Sequence, residues 1–198
     1  MKKIKIPEKG YKNLRKGRVS LPDYYYFITI ACKDKKPVLS NKIIFEMILN
    51  SVFWLENSGN IILYFIIAMP DHIHWIFQLL EKKSLSEVIK SFKQYTARNI
   101  KNKFASIKDV WQAGFYDHAI RKEESLVEII KYSWYNPVRA GIVEEPEDYP
   151  YWWSRYDLLN RAGSRLETAP TSNKNNVGGV SNADNRSRLE AGPTEMKF

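Results

Sequence analysis

A chain of 198 residues, 44% hydrophobic and 14% aromatic, suits one domain of ordinary size with an appendage. It excludes two large domains and a wholly disordered polypeptide. Thirty-one Lys and Arg against 22 Asp and Glu leave a net charge of +9, which favours a polyanionic partner, either nucleic acid or an anionic membrane surface. The single cysteine, Cys32, excludes an internal disulfide framework and a cysteine-rich zinc module. The longest apolar run, Ile61 to Met69, falls far short of the roughly 20 residues that cross a bilayer. The first 18 residues lack the apolar stretch of a secretory signal. The expectation is a soluble, intracellular, basic protein.

Those first 18 residues form a basic arm with eight cationic side chains and one acid, Glu8. Lys12, Arg15, Lys16 and Arg18 are its candidate phosphate contacts; a solubilising role explains the same charges. Asp23 to Cys32, β-branched and aromatic, predicts a strand. Ser40 is placed to N-cap a helix through about Asn57, with Ile43, Ile44, Met47, Ile48 and Phe53 or Trp54 as its apolar stripe. Asn57 to Asn60 reads as a turn. Ile61 to Ala68 is apolar throughout, so a strand there is central or buried on both faces. After Met69-Pro-Asp71, His72 to Leu80 returns as the second strand of a hairpin.

Ser84 and Glu87 have capping-box spacing, and the helix they open runs to about Phe104. Lys90, Lys93, Arg98 and Lys101 lie off its apolar positions. A solvated face is the plain reading of such charges, but with no acid after Glu87 they are candidate phosphate contacts. A strand is expected within Trp111 to Arg121, then a helix from Glu123 to Tyr135 that Pro137 cannot continue. Strand-helix-strand-strand-helix-strand is the order of an α+β, ferredoxin-like βαββαβ sandwich with a central antiparallel sheet, followed by one additional helix. From Leu158 onward the chain is rich in Asn, Ser, Thr, Gly and Ala and predicts a disordered tail. The domain is expected over residues 19–157.

His72 and His74 stand at i, i+2 in a predicted strand. Period-2 geometry puts both imidazoles on one face and Ile73 and Trp75 on the other. That spacing suits two nitrogens on one divalent ion, although an isolated His-x-His is common by chance. Tyr132 and Asn136, at i, i+4, share a helix face. A tyrosine hydroxyl is a competent nucleophile towards a polarised target, and Asn supplies a neutral oxygen ligand. From the residues alone Tyr135 and Tyr116 are rival nucleophiles, and His118 reads as structural.

Three blocks in order, Met69 to His74, Trp111 to Arg121 and Tyr132 to Val143, resemble those of the REP-associated tyrosine transposases, which belong to the HUH single-strand endonuclease superfamily. The resemblance covers about residues 15 to 157. It implies a ferredoxin-like fold with the tyrosine on the additional helix. It makes Tyr132 the catalytic nucleophile, and His72, His74 and Asn136 the ligands of Mg²⁺ or Mn²⁺. It implies a cytoplasmic, nucleoid-associated bacterial enzyme that cleaves and rejoins single-stranded DNA hairpins of palindromic repeats through a 5′-phosphotyrosine. Neither a membrane nor a nucleotide cofactor is implied, and a monomer is favoured over a dimer. A non-catalytic nucleic-acid-binding module of the same fold also fits the composition, and a replication initiator or relaxase would keep the chemistry. Ser133 and Trp134, where the family often carries other residues, are expected to affect packing only.

The tail adds an observation of its own. Codons for Glu167 to Thr171, reverse-complemented and shifted by one base, permit Val-Gly-Ala-Val-Ser, and the chain reads Val177-Gly-Gly-Val-Ser181 shortly after. The tail is therefore expected to be translated palindromic repeat DNA. An absence of inverted repeats between those codons in the gene would remove the idea.

Overall fold

Two apolar faces on one sheet require two separate coverings, and the chain supplies a different set of helices for each. The computed structural model describes residues 20–121 and 124–158, together with the backbone strand 176–177. The elements run β1 (Tyr25–Ala31), α1 (Lys42–Asn57), β2 (Ile61–Met69), β3 (His72–Leu79), α2 (Leu85–Lys103), β4 (Tyr116–Ala119), α3 (Leu126–Trp134), α4 (Asn136–Arg139), β5 (Trp152–Ser154) and β6 (Asn176–Val177). The sheet order is β4-β1-β3-β2-β5-β6, and every pairing is antiparallel. Its first four strands have the ferredoxin-like order expected from the sequence, and α3 with α4 follows them as the additional helical segment.

Strand periodicity sorts the side chains. Ile28, Ile30, Ile73, Trp75, Phe77, Ile66 and Ala68 pack with the buried faces of α1 and α2 in one cluster. Phe27, Phe65, Ile67, Met69 and Ile76 pack with Ile130 and Trp134 of α3, Tyr149, Trp152 and Leu158 in the other. The sheet therefore separates α1 and α2 from α3, and β2, apolar throughout, feeds both sides.

Local sequence explains most boundaries. Ser84 Oγ accepts from the Glu87 backbone N–H, and the Glu87 carboxylate accepts from the Ser84 N–H, completing the capping box that opens α2. In α1 the cap is Asn41, not Ser40. Its Oδ1 accepts from both Ile43 and Ile44 N–H, and an amide oxygen one residue later is the better match to those donors. The α1 stripe shifts accordingly: Ile44, Phe45, Ile48, Leu49, Val52 and Leu55 are buried, while Ile43 and Trp54 are exposed. Gly59, at φ 67°, supplies the left-handed residue of the turn into β2.

The aromatic stretch from Tyr149 to Ser154 is packing, as expected, but it is also a strand. Trp152–Ser154 pairs with β2, and Tyr149 O–H donates to the Ala68 carbonyl at 2.6 Å. Leu158, placed in the tail by composition, is 5% exposed and belongs to the second cluster. A single apolar residue within a polar run carries too little compositional signal to move that boundary. The arm of residues 1–18 and the remainder of the expected disordered tail lie outside the described residues, apart from Asn176–Val177, which pairs with β5.

A register irregularity in β2 between Leu63 and Phe65 bends the ladder there. Side chains complete the hydrogen bonding around it. Leu63 N–H donates to Glu56 Oε1 at 2.8 Å, Arg155 Nε–H donates to the Leu63 carbonyl, and the same guanidinium pairs with Glu56. Arg155→Met keeps the apolar stem but removes these donors. It is expected to lower unfolding free energy by about 1–2 kcal/mol, read as a shifted urea midpoint.

Candidate active site

His72 and His74 open β3, and strand geometry puts both rings on the α3 side of the sheet, opposite Ile73 and Trp75. Their Nε2 atoms converge to 3.1 Å. Each Nδ1 is engaged elsewhere: His72 Nδ1–H donates to Asp71 Oδ1 at 2.6 Å, and His74 Nδ1 lies 2.9 Å from Thr29 Oγ1. Phe27 stacks on the His74 ring with centroids 5.1 Å apart. Burial first, then the charges of His72 and Arg139, hold the His74 imidazole well below its usual pKa. His74 is thus a neutral ring with its Nε2 turned towards its partner.

This donor set fits a divalent cation. Two nitrogens at right angles about one ion, each at roughly 2.1 Å, stand roughly 3 Å apart. The engaged Nδ1 atoms fix ring orientation in the manner usual for metal-bound imidazole. Among the described residues no third His, Cys, Asp or Glu joins the pair.

Across the same face, α3 buries Ile130, Ser133 and Trp134, and Trp134 meets Trp152 at 5.6 Å. Ser133 and Trp134 are therefore packing residues, as expected. That anchoring leaves Tyr132 and Tyr135 outward, each 43% exposed. The helix breaks at Tyr135, because Pro137 has no N–H with which to continue it. Asn136 starts the next turn, its Nδ2 buried without a partner. Arg139 closes the group: one Nη2 donates to the Tyr132 carbonyl and to Asn136 Oδ1, both at 2.5 Å. Its guanidinium lies 3.9 Å over the Tyr132 ring.

The rival tyrosines are placed differently. Tyr116 is half-buried, its phenol pushed up by burial and then by the charges of Asp117 and Glu124, so it is the harder to ionise. Tyr135 meets Trp134 edge-on, with ring centroids 5.7 Å apart. His118 sits on β4 opposite Phe27 and faces Glu124, its Nε2 2.8 Å from Oε2. That arrangement ties β4 to the segment entering α3 and agrees with a structural role.

The basic residues of α2 stand apart from this group. Lys90, Arg98 and Lys101 are exposed, but α2 covers the opposite face of the sheet from the histidines. Lys93 is engaged internally: its ammonium donates to the Gln112 and Gly114 carbonyls at 2.6 and 2.9 Å, and burial lowers its pKa. It holds the loop that begins at Trp111. The indole N–H of Trp111 in turn donates to Thr96 of α2. Sequence spacing gave Lys90, Arg98 and Lys101 as outer positions of α2, misplaced Lys93 among them, and carried no information about which sheet face the helix covers. Lys12, Arg15, Lys16 and Arg18 lie outside the described residues.

Sequence reasoning missed Arg139. It belongs to the third motif block, but a lone arginine after a proline gives no periodic signal.

The ferredoxin-like sheet thus carries paired imidazoles on a central strand and a tyrosine-bearing helix on the same face. A family model described as Transposase IS200 like matches residues 20–132, more than half of the sequence and ending on Tyr132, and the chain belongs to that family. Within it the chain is similar to REP-associated tyrosine transposases. One is a protein of Escherichia coli (strain K12), 24% identical, the match covering 64% of this chain and 73% of that protein. Another, from Haemophilus influenzae, carries that name provisionally; it is 31% identical over 43% of this chain and 54% of its own length. The fold is shared with a REP-associated tyrosine transposase solved bound to a REP hairpin, at TM-score 0.58 and 19% identity. That match covers 79% of this chain and 96% of the other. Among the described residues no helix is long and apolar enough to cross a membrane.

Proposed function

We propose that the chain is a metal-dependent single-stranded DNA endonuclease and strand transferase acting on hairpin-forming palindromic repeats. The observation that carries this reading is the convergence of the two Nε2 atoms on the sheet face that also carries the Tyr132 helix. Membership of a transposase family supports it, as does the hairpin bound by the relative of like fold. His72 and His74 would hold Mg²⁺ or Mn²⁺, with Asn136 Oδ1 as the neutral oxygen ligand. Bound there, the ion would withdraw charge from a phosphate oxygen.

The chain's own residues do the rest. Asp71 and Thr29 fix the two rings so that both Nε2 atoms face one point. Tyr132, outward and half-exposed, presents its hydroxyl to a DNA strand lying along this face. Its oxygen attacks phosphorus in line and gives up the phenol proton to solvent; the bond to the 3′ oxygen breaks, and that oxygen takes up a proton from solvent as a 3′-OH. The phosphate stays on the tyrosine as a 5′-phosphotyrosine, and attack by a 3′-OH restores the diester and the phenol. Bond energy is conserved in the link, so no nucleotide hydrolysis is needed. Lys12, Arg15, Lys16 and Arg18 would hold backbone phosphates, giving strong salt dependence. Lys90, Arg98 and Lys101 would contact only DNA that reaches round the sheet.

The test is incubation with single-stranded hairpin oligonucleotides from the gene's own flank, with and without Mg²⁺, read by denaturing gel and intact mass. A Mg²⁺-dependent protein–DNA adduct is the expected result. Tight hairpin binding with no adduct and no cleavage would instead make the protein a binding module.

A further inference from the structure

We infer that Arg139 is a positioning residue that holds the Tyr132–Asn136 pair in register and occupies Asn136 Oδ1 until a divalent cation displaces it. The inference rests on the metal reading above and extends it to a residue that reading does not use.

Three contacts meet on one guanidinium. Its Nη2 serves the backbone carbonyl of Tyr132 and the side-chain oxygen of Asn136, which spans the helix break at Tyr135. Its plane covers the Tyr132 ring, restricting the ring in the way a guanidinium stacked on an aromatic face does. The Asn136 contact sets up a competition. Asn136 Oδ1 cannot accept fully from a cationic donor and ligate a dication at the same time. Arg139 is also close enough that its charge bears on His74, so a dication held by the imidazoles would repel it. Meanwhile Asn136 Nδ2 is buried without a partner, so the amide has no second tether and its oxygen is free to change partner. Arriving metal and departing guanidinium are therefore one exchange, after which the freed N–H groups face outward near the nucleophile.

This arrangement predicts opposite effects on binding and on rate. Arg139→Met keeps the stem and removes charge and donors. Mn²⁺ alone, titrated by electron paramagnetic resonance without DNA, is expected to bind this variant about tenfold more tightly than wild type. At saturating Mn²⁺, adduct formation is expected to slow about tenfold or more, with KM for the oligonucleotide little changed. Arg139→Lys retains charge but not the planar fork. It is expected to keep near wild-type Mn²⁺ affinity while remaining slow. Arg139 is exposed, and unchanged thermal unfolding of both variants will show that the fold is intact. A purely structural residue would weaken binding and rate together, and that result would overturn the inference. So would unchanged Mn²⁺ affinity in Arg139→Met against a wild type that binds. A wild type that binds no Mn²⁺ would overturn the metal reading, and this inference with it.

Discussion

Tyr132→Phe will bind the hairpin with near wild-type affinity yet form no covalent adduct, a loss of ~10³-fold or more in cleavage rate. The substitution removes one oxygen and little else. The ring is 43% exposed, so no buried hydrogen bond is broken and the fold should lose less than about 0.5 kcal/mol. Phenylalanine also keeps the aromatic face beneath Arg139, so the Arg139–Asn136 contact persists and the site stays assembled. The controls are Tyr135→Phe and Tyr116→Phe. Tyr135 is equally exposed but points its ring to Trp134; Tyr116 is half-buried with its phenol pushed towards the neutral form. Both variants should form adduct at close to normal yield. An adduct persisting in Tyr132→Phe and vanishing in one of the others would move the nucleophile to that residue.

The distinction between these tyrosines shows how far sequence reading reaches. The hairpin, the start of α2 and the end of α3 follow from local chemistry: β-branched and apolar runs, a capping box and a proline where a helix must stop. The starts of α1 and α3, at the caps Asn41 and Ser125, do not match the expected Ser40 and Glu123. The His72–His74 pairing was legible for the same reason, since a period of two fixes the face of a strand residue wherever the strand ends up. What local chemistry cannot supply is the side of the sheet on which a helix lands. The cations of α2 read as candidate phosphate contacts, and the helix that carries them covers the sheet face opposite the site. Lys93 shows the point most sharply. As a letter in a basic helix it matches Lys90 and Arg98, yet in the fold its ammonium is used on two loop carbonyls. Leu158 and Arg139 were missed for a related reason. Each acts through contacts made by tertiary folding, and neither sits in a repeating pattern that would mark it.

The second large effect concerns the imidazoles, and its size is less informative than its additivity. His72→Ala is expected to abolish Mn²⁺ binding and metal-dependent cleavage, and His74→Ala to do the same. Their stabilities should differ. His72 is partly exposed, whereas His74 is 8% exposed and stacked on Phe27, so its removal should cost about 1–3 kcal/mol in urea unfolding. Two nitrogens 3.1 Å apart that grip one ion act as a unit, so either deletion already destroys the site. The double variant should therefore cleave no more slowly than either single one, against the multiplied loss that independent contributions would give. Asp71→Asn tests the support beneath the pair. It trades the carboxylate acceptor of His72 Nδ1–H for an amide, and it should weaken Mn²⁺ binding by about 10- to 100-fold without removing it. Excess Mn²⁺ should restore cleavage to this variant and not to His72→Ala, because only the former keeps both ligand nitrogens. Cleavage undiminished in EDTA, or equal in wild type and the double variant, would leave the paired imidazoles as a structural feature of β3 and end the metal reading.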